Sequence, residues 1–248
     1  METENRSWPS LPYEQFKSTS HLLHMCAQMM GKLKLYTPFE PHWANVILSL
    51  TSRGLTTGLI PYQNKVFSID LDLIQHNIIF QSSTGESEQL QLETMSVAEL
   101  FNKFLNILKK IGINLVINSK PQEIPNPIPF EQNTESCDYD KDLANKWWRI
   151  LINSQIVMQR YHALFLGKTQ PVGFMWGTFD LRDVRFKNCI INTPTSGPNA
   201  GYLRRNAMNA DQVECGWWSG NDMYPRPAYY SFTYPEPARI AEAKILPA

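Results

Sequence analysis

Residues 67–73 have the sequence FSIDLDL, in which apolar residues alternate with polar ones. This period of two is typical of a β-strand with one buried face and one face in solvent. The same alternation places Val46, Leu48 and Leu50 on one face of an earlier strand. Turn-forming residues separate such segments at positions 53–54, 61–64, 75–77 and 82–86. The spacing predicts an antiparallel meander of roughly four or five strands.

Three segments carry apolar residues at helical spacing and follow residues that start helices. The clearest is the second, where Ser96 and Glu99 form a capping box ahead of an apolar stripe that includes Phe101. Gly31 is placed to end the first helix. The predicted helices span residues 12–30, the segment between Ser96 and Gly112, and residues 140–166.

The last third of the chain is strand-like and aromatic. Residues 174–180 (FMWGTFD), 184–191 and 228–234 (AYYSFTY) predict further strands of the same meander, and a strand is also expected over residues 113–117. The predicted fold class is therefore α+β, an antiparallel β-meander with aromatic C-terminal strands and three helices packed mainly on one face.

Composition and charge exclude several classes of partner. The chain has 23 Lys and Arg against 23 Asp and Glu, so it lacks the basic surface of a nucleic-acid-binding protein. No signal peptide or membrane-length apolar segment is found, and its four cysteines stand singly. These features predict a cytoplasmic protein with reduced thiols and with neither nucleic-acid nor membrane partners.

General catalytic motifs are absent from the sequence. There is no GxSxG elbow, no glycine-rich phosphate loop, no HExxH and no CxxC. We therefore expect no cofactor, although enzymes without these motifs remain open.

The histidines give a weak metal signal. His21 and His24 are three residues apart on one helix face, as two ligands would be, but no third ligand stands nearby. A polar helix face is the favoured interpretation, and we predict no metal site. His42 precedes the first strand and would approach His24 if the helix packs over that strand, which makes both residues catalytic candidates.

Charged residues at strand ends are further candidates. Asp70 and Asp72 share one strand face, and a solvated face is favoured over an acid and base pair. Asp180 follows Phe179, and a carboxylate against aromatic surface can have a raised pKa and act as an acid, or can pair with an arginine. Arg53 stands in a glycine turn, where it could bind an anionic group or simply belong to a hairpin.

A dense aromatic set suggests a ligand-binding pocket. The candidates are Trp43, Trp176, Trp217 and Trp218, whose rings would suit a sugar or a heteroaromatic ligand. Core packing is the competing interpretation. Tyr229 and Phe232 nevertheless fall on opposite faces of one strand, and helices on one side of a sheet leave its other face open. We therefore expect part of this set to line a pocket beside Asp180.

Several blocks carry a family resemblance. They resemble a mainly bacterial family known as a domain of unknown function, whose likeness covers residues 8–237 and supplies no activity. Four prolines, at 121, 125, 127 and 129, predict a stiff connector over residues 121–133, where a domain boundary would fall. The resemblance instead implies one α+β domain over residues 8–237 that contains this connector, with tails at 1–7 and 238–248. The blocks are WPSLPYE (8–14), SRGLTT (52–57), IDLD (69–72), PIPF (127–130), FMWGTFD (174–180) and CGWWSG (215–220).

Two positions are compared with the family pattern. His24 is usual in the family. An acid preceded by a histidine comes before the CGWWSG block there; Asp211 stands for the acid, whereas Ala210 replaces the histidine. Three functions stay open: a cytoplasmic small-molecule binding protein or enzyme with an aromatic-lined pocket, a histidine- or carboxylate-dependent hydrolase, and a non-catalytic protein-interaction module.

Overall fold

The computed structural model describes residues 8–191 and 201–244, and it confirms the α+β class with antiparallel sheets. The four helices of these residues are α1 (Tyr13–Lys34), α2 (Val97–Lys110), α3 (Lys141–His162) and α4 (Tyr202–Ala207). The strands are β1 (Ser49–Leu50), β2 (Gly54–Thr56), β3 (Ile60–Tyr62), β4 (Lys65–Asp72), β5 (Asn77–Ser82), β6 (Ser87–Gln91), β7 (Met95–Ser96), β8 (Ser136–Cys137), β9 (Lys168–Thr169), β10 (Gly173–Met175), β11 (Asp180–Ile190), β12 (Ala210–Trp218) and β13 (Ala228–Tyr234).

The first sheet is the predicted meander. Its strands lie in the order β1-β2-β4-β5-β6, with β3 paired to the other end of β4. The apolar stripe of α2 covers this sheet, where Phe104 meets Phe80 edge-on at a ring distance of 4.9 Å. The Ser96 hydroxyl accepts the Glu99 N–H at 3.1 Å, as the capping box predicts.

The second sheet contains the aromatic C-terminal strands. Its order is β10-β11-β12-β13, with β9 on β11. We expected these strands to extend the meander. They form a sheet of their own because β9, β10 and β12 occupy the edges of β11. An isolated antiparallel bridge between Leu48 and Phe174 joins the two sheets.

α3 covers one face of the second sheet. There the Tyr229 hydroxyl contacts the Ser154 hydroxyl of α3 at 2.8 Å, and His162 Nδ1 lies 2.5 Å from Asp183 Oδ1. α1 packs against both α2 and α3, and buried residues of all these elements form one continuous core. The opposite face of the second sheet is left for a cleft.

Three local predictions were wrong. α1 continues past Gly31 to Lys34. Gly31 therefore does not end the helix, and its lack of a side chain leaves the space into which Trp176 packs. Residues 113–117 form no strand. The expected strand over 174–180 is broken after Met175 by a turn that brings Phe179 to a φ of 60°. A contact between distant residues, such as that of Trp176 with Gly31, is not visible in a local sequence pattern.

The first predicted strand is also shorter than its alternating pattern. Residues 41–46 form a 3-10 turn, and strand pairing begins at Ser49. In the described parts of the chain, no helix is both long and apolar enough to cross a membrane.

Candidate functional site

A cleft of about 1480 Å³ lies over the open face of the second sheet. α1, the Pro-rich connector and α4 contribute its other walls. Aromatic side chains line it, among them Trp43, Trp176, Trp218 and Phe232. This large concave space, with apolar walls and a polar floor, is typical of a small-molecule site.

Strand register brings the floor residues together. Arg182 of β11 lies opposite Gly216 of β12, which in turn lies opposite Tyr230 of β13. Directly opposed residues point to the same face, as do residues two positions along a strand. Asp180, Arg182, Glu214 and Tyr230 therefore share the face that borders the cleft.

Gly216 makes this arrangement possible. A Cβ at this position would lie 2.3 Å from the Tyr230 Cζ and hydroxyl oxygen. The bare backbone lets the Tyr230 ring cross the strand and reach the carboxyl groups on both sides.

The floor is a hydrogen-bonded chain of side chains. The Tyr230 hydroxyl contacts Asp180 Oδ2, and it lies 3.1 Å from Glu214 Oε1. Thr178 donates its hydroxyl to Asp180 Oδ1. Arg182 donates to Glu214 Oε2 at 3.1 Å and to Gln170 Oε1 at 2.7 Å.

The Tyr230 hydroxyl can donate to only one of the two carboxyl groups. A tyrosine hydroxyl carries one hydrogen, so it donates to either Asp180 or Glu214 but not to both. Burial raises the pKa of Asp180, and burial with repulsion from Asp180 raises that of Glu214, despite the opposing effect of Arg182. The ion pair with Arg182 favours the ionised form of Glu214.

A third carboxyl group enters from the Pro-rich connector. Glu123 opens to the cleft, and a Cβ at Gly177 would lie 2.0 Å from its Oε2. Exclusion of water by the surrounding protein raises the pKa of Glu123, and the nearby Asp180 raises it further. The connector thus supplies a functional group as well as a link.

His24 lines the cleft as a neutral base. Its Nε2 lies 3.0 Å from the Trp176 carbonyl and 3.1 Å from the Gly177 carbonyl, so this nitrogen carries the ring proton. The ring stacks on Phe179 at 4.7 Å. Burial lowers the pKa of His24 to about 4, which keeps the imidazole neutral at pH 7. Nδ1 remains as the proton acceptor.

His42 also lines the cleft, but it contacts other residues. It stacks on Phe186 at 4.1 Å, and its Nε2 lies 3.1 Å from the Lys168 ammonium. Burial and the Lys168 charge lower its pKa. The structure therefore places both predicted histidines at the cleft without joining them in a hydrogen bond.

Strained backbone accumulates around this cleft. Positive φ angles of 58–61° occur at His42, Trp43, Glu123 and Phe179, all of which line it. Such angles are unfavourable for bulky side chains and are retained where surrounding structure enforces them, often at functional sites. The distribution supports a functional role for the cleft.

The remaining sequence candidates lie elsewhere. Arg53 pairs with Asp72 at 2.7 Å in the first sheet, away from Asp180, and Asp72 is buried rather than solvated. Trp217 points to the helix-covered face and belongs to the core. Trp176 is 4% exposed and donates its indole N–H to the Val46 carbonyl, so it reaches the cleft with little of its surface.

Sequence reasoning missed most of the floor. Tyr230 belongs to the aromatic set expected to line a pocket, but Arg182 and Glu214 were not singled out, because their meeting with Tyr230 depends on the register of three strands. Glu123 was hidden in a segment interpreted as a spacer. A signal was available in Gly216, whose lack of a side chain within a strand indicates close approach of another group.

The described residues offer no metal site, and their cysteines are reduced. Among residues 8–191 and 201–244, no three His, Cys, Asp or Glu residues are arranged to hold a metal ion. Cys26, Cys137 and Cys215 are free thiols, and the side chain of Cys189 lies outside the described residues. Asp211 forms an ion pair with Lys187 at 3.3 Å.

Comparison with known proteins identifies a family without an assigned activity. Residues 8–248 match the model of a family of unknown function, DUF5996, and the chain belongs to this family. The resemblance expected from the sequence blocks is thereby confirmed. Searches of curated proteins and of solved structures find no match. Function must therefore be argued from the cleft itself.

Proposed function

We propose that this protein binds a small molecule in the cleft over the second sheet. The main observation in support is the buried, hydrogen-bonded chain of Asp180, Tyr230 and Glu214 at the cleft floor. Burial of carboxyl groups is energetically unfavourable. Proteins usually retain such buried groups where they serve binding or catalysis.

The cleft walls support the same proposal. Trp218 and Phe232 offer flat apolar surface on the sheet side, and Trp43 does so from the opposite wall. A ligand held between them would present its polar end to the carboxyl groups. Concavity favours this function over a protein-interaction module, which would use a flat apolar patch.

A second candidate function is acid–base hydrolysis by the carboxyl pair. Asp180 and Glu214 contact one hydroxyl oxygen, so their nearest oxygens lie within roughly 5–6 Å, a separation at which paired carboxyl groups act as acid and base or nucleophile. Protonated Asp180 would be the acid. Ionised Glu214 would be the base or nucleophile, with neutral His24 on the same cleft wall.

Neighbouring tyrosines provide a matched test. Tyr230→Phe removes the hydroxyl between the two carboxyl groups, whereas Tyr229→Phe removes a hydroxyl on the helix-covered face of the same strand. A fragment library screened by ligand-observed NMR supplies the first ligands. We expect Tyr230→Phe to weaken their binding by about 10-fold, the loss of one hydrogen bond to a charged group, and Tyr229→Phe to leave it unchanged.

The outcome that contradicts the proposal is equally specific. Fragments that bind Tyr230→Phe and Trp218→Ala as tightly as the wild type would show that the cleft is not the binding site. For the hydrolase candidate, turnover of any chromogenic ester or glycoside should disappear in Asp180→Asn. Unchanged turnover in that variant would exclude the carboxyl pair as catalyst.

A further inference from the structure

Several hydrogen-bond donors on the cleft wall are already used by the protein. Arg182 donates to Glu214 and Gln170, and His24 donates to two backbone carbonyls. The indole N–H groups of Trp43 and Trp176 donate to the carbonyls of Leu203 and Val46. Among the described residues that line the cleft, Trp218 and Arg204 have side-chain donors that make no hydrogen bond within the protein.

Acceptors, by contrast, are in excess. No hydrogen bond or ion pair links Glu123 to any other residue in the described parts of the chain, so its carboxylate lines the cleft unpaired, with Oε2 beside Gly177. Asp180 and Glu214 each accept one hydrogen bond per oxygen, and a carboxylate oxygen can accept two. His24 Nδ1 adds another acceptor.

The charges around the cleft point the same way. Six acidic residues and three Lys or Arg residues line the cleft, and two of the basic side chains are paired with carboxylates: Arg182 with Glu214, and Lys17 with Asp222 at the rim. Arg204 of α4 is the third and partly offsets Glu123. An anionic ligand would meet unpaired carboxylate, and a neutral hydroxyl compound would leave most acceptors without a charge-assisted partner.

We propose that the ligand carries a positively charged nitrogen group rich in N–H donors, an amine, amidine or guanidine, on an apolar or aromatic body. Such a group donates to the unused acceptors of the cleft and neutralises Glu123. The aromatic walls add a favourable cation–π contribution. This inference depends on the proposed small-molecule function, and it adds the chemical class of the ligand.

Three probes with the same ring test the charge requirement. Benzamidine, benzyl alcohol and benzoate differ in their polar group and are compared by isothermal titration calorimetry at pH 8. We expect benzamidine to bind at least about 10-fold more tightly than benzyl alcohol, and benzoate not to bind, since a charge-assisted pair contributes about that factor.

Two matched variants locate the effect. Glu123→Gln keeps the shape of the side chain and should weaken benzamidine about 10-fold while leaving benzyl alcohol unchanged. Glu131→Gln is the control, because Glu131 lies in the same connector but contacts Ser119 and does not line the cleft. Glu214→Gln, which removes the ionised carboxylate of the floor, gives a second, independent reduction should Glu123→Gln be poorly folded.

Each contrary result has a distinct meaning. Tighter binding of benzoate or benzyl alcohol, abolished by Trp218→Ala, would overturn the cationic class and leave the small-molecule function standing. Equal benzamidine affinity in wild type and both carboxyl variants would also overturn it. Absence of binding by all three probes, together with an empty fragment screen, would overturn both proposals.

Discussion

Two buried aspartates, one in each sheet, have carboxyl groups whose pKa values shift in opposite directions. Asp72 of the first sheet is 4% exposed and Asp180 of the second is 6% exposed. Burial alone would raise both pKa values. The Gln75 N–H, Arg53 and the Ile74 N–H outweigh it at Asp72 and lower its pKa, whereas the pKa of Asp180 stays raised.

The difference lies in the groups that face each carboxyl. Asp72 receives two backbone N–H groups and a guanidinium, which is how a turn stabilises an ionised aspartate. Asp180 receives hydroxyl groups, from Thr178 and Tyr230, and lies beside a second carboxyl. The first arrangement stabilises an ionised carboxylate in the fold, and the second raises the pKa of a carboxyl group next to a cleft.

Truncation of a phenylalanine to alanine should give the largest difference in stability loss between the two sheets. Phe104 is fully buried between α2 and the first sheet, so Phe104→Ala should reduce the free energy of unfolding by about 3–5 kcal/mol. Phe232 is 38% exposed on the open face of the second sheet, and Phe232→Ala should cost less than about 1 kcal/mol. Urea titration of both variants measures the difference.

A similar loss at both positions would break the comparison. It would mean that the cleft face is covered in solution, for example by a second chain, and that Phe232 is part of a core. Unchanged m-values in both variants serve as the control that the unfolding transition itself is the same.

Sequence reasoning succeeded where the signal is local. Alternation in residues 67–73 and the Ser96 capping box predicted a sheet and a helix, because each depends on neighbours within a few positions. Asp180 was selected for its aromatic neighbour and does lie at the cleft. Tyr230 was expected only as one of several aromatic residues near a pocket, and Glu214 was missed, since only the register between β11, β12 and β13 brings both to Asp180.

The pH dependence of stability should have opposite signs for the two aspartates. Asp180 binds its proton more tightly in the folded than in the unfolded chain, so its contribution to stability is present below about pH 4 and is lost as pH rises through its folded pKa. Asp72 binds it less tightly, so its contribution is present above about pH 4 and is lost as pH falls through its folded pKa.

Asn variants measure each contribution by difference. The stability of wild type minus Asp180→Asn should fall as pH increases above about 4, by at most about 1.4 kcal/mol per pH unit, and the stability of wild type minus Asp72→Asn should fall as pH decreases below that value. His24 titrates in the wild type and in both variants, so its contribution to the pH dependence cancels in each difference. Parallel curves would show that the two carboxyl groups have the same environment.

The smallest expected effects concern the helix caps, where the two halves should agree. Ser96 accepts the Glu99 N–H at 3.1 Å ahead of α2, and Asp140 accepts the Leu143 N–H at 2.9 Å ahead of α3. Ser96→Ala and Asp140→Ala should each cost about 1 kcal/mol, and Asp140→Asn, which keeps an acceptor, should cost less than half of that. Thermal or urea unfolding is sufficient to resolve these losses.

Equal cap losses together with unequal phenylalanine losses would place the contrast between the sheets in the open face itself, since the helices on either side would then be equally well anchored. A cap loss near zero at Asp140 alone would instead indicate that α3 is held by its packing on the second sheet rather than by its first turn.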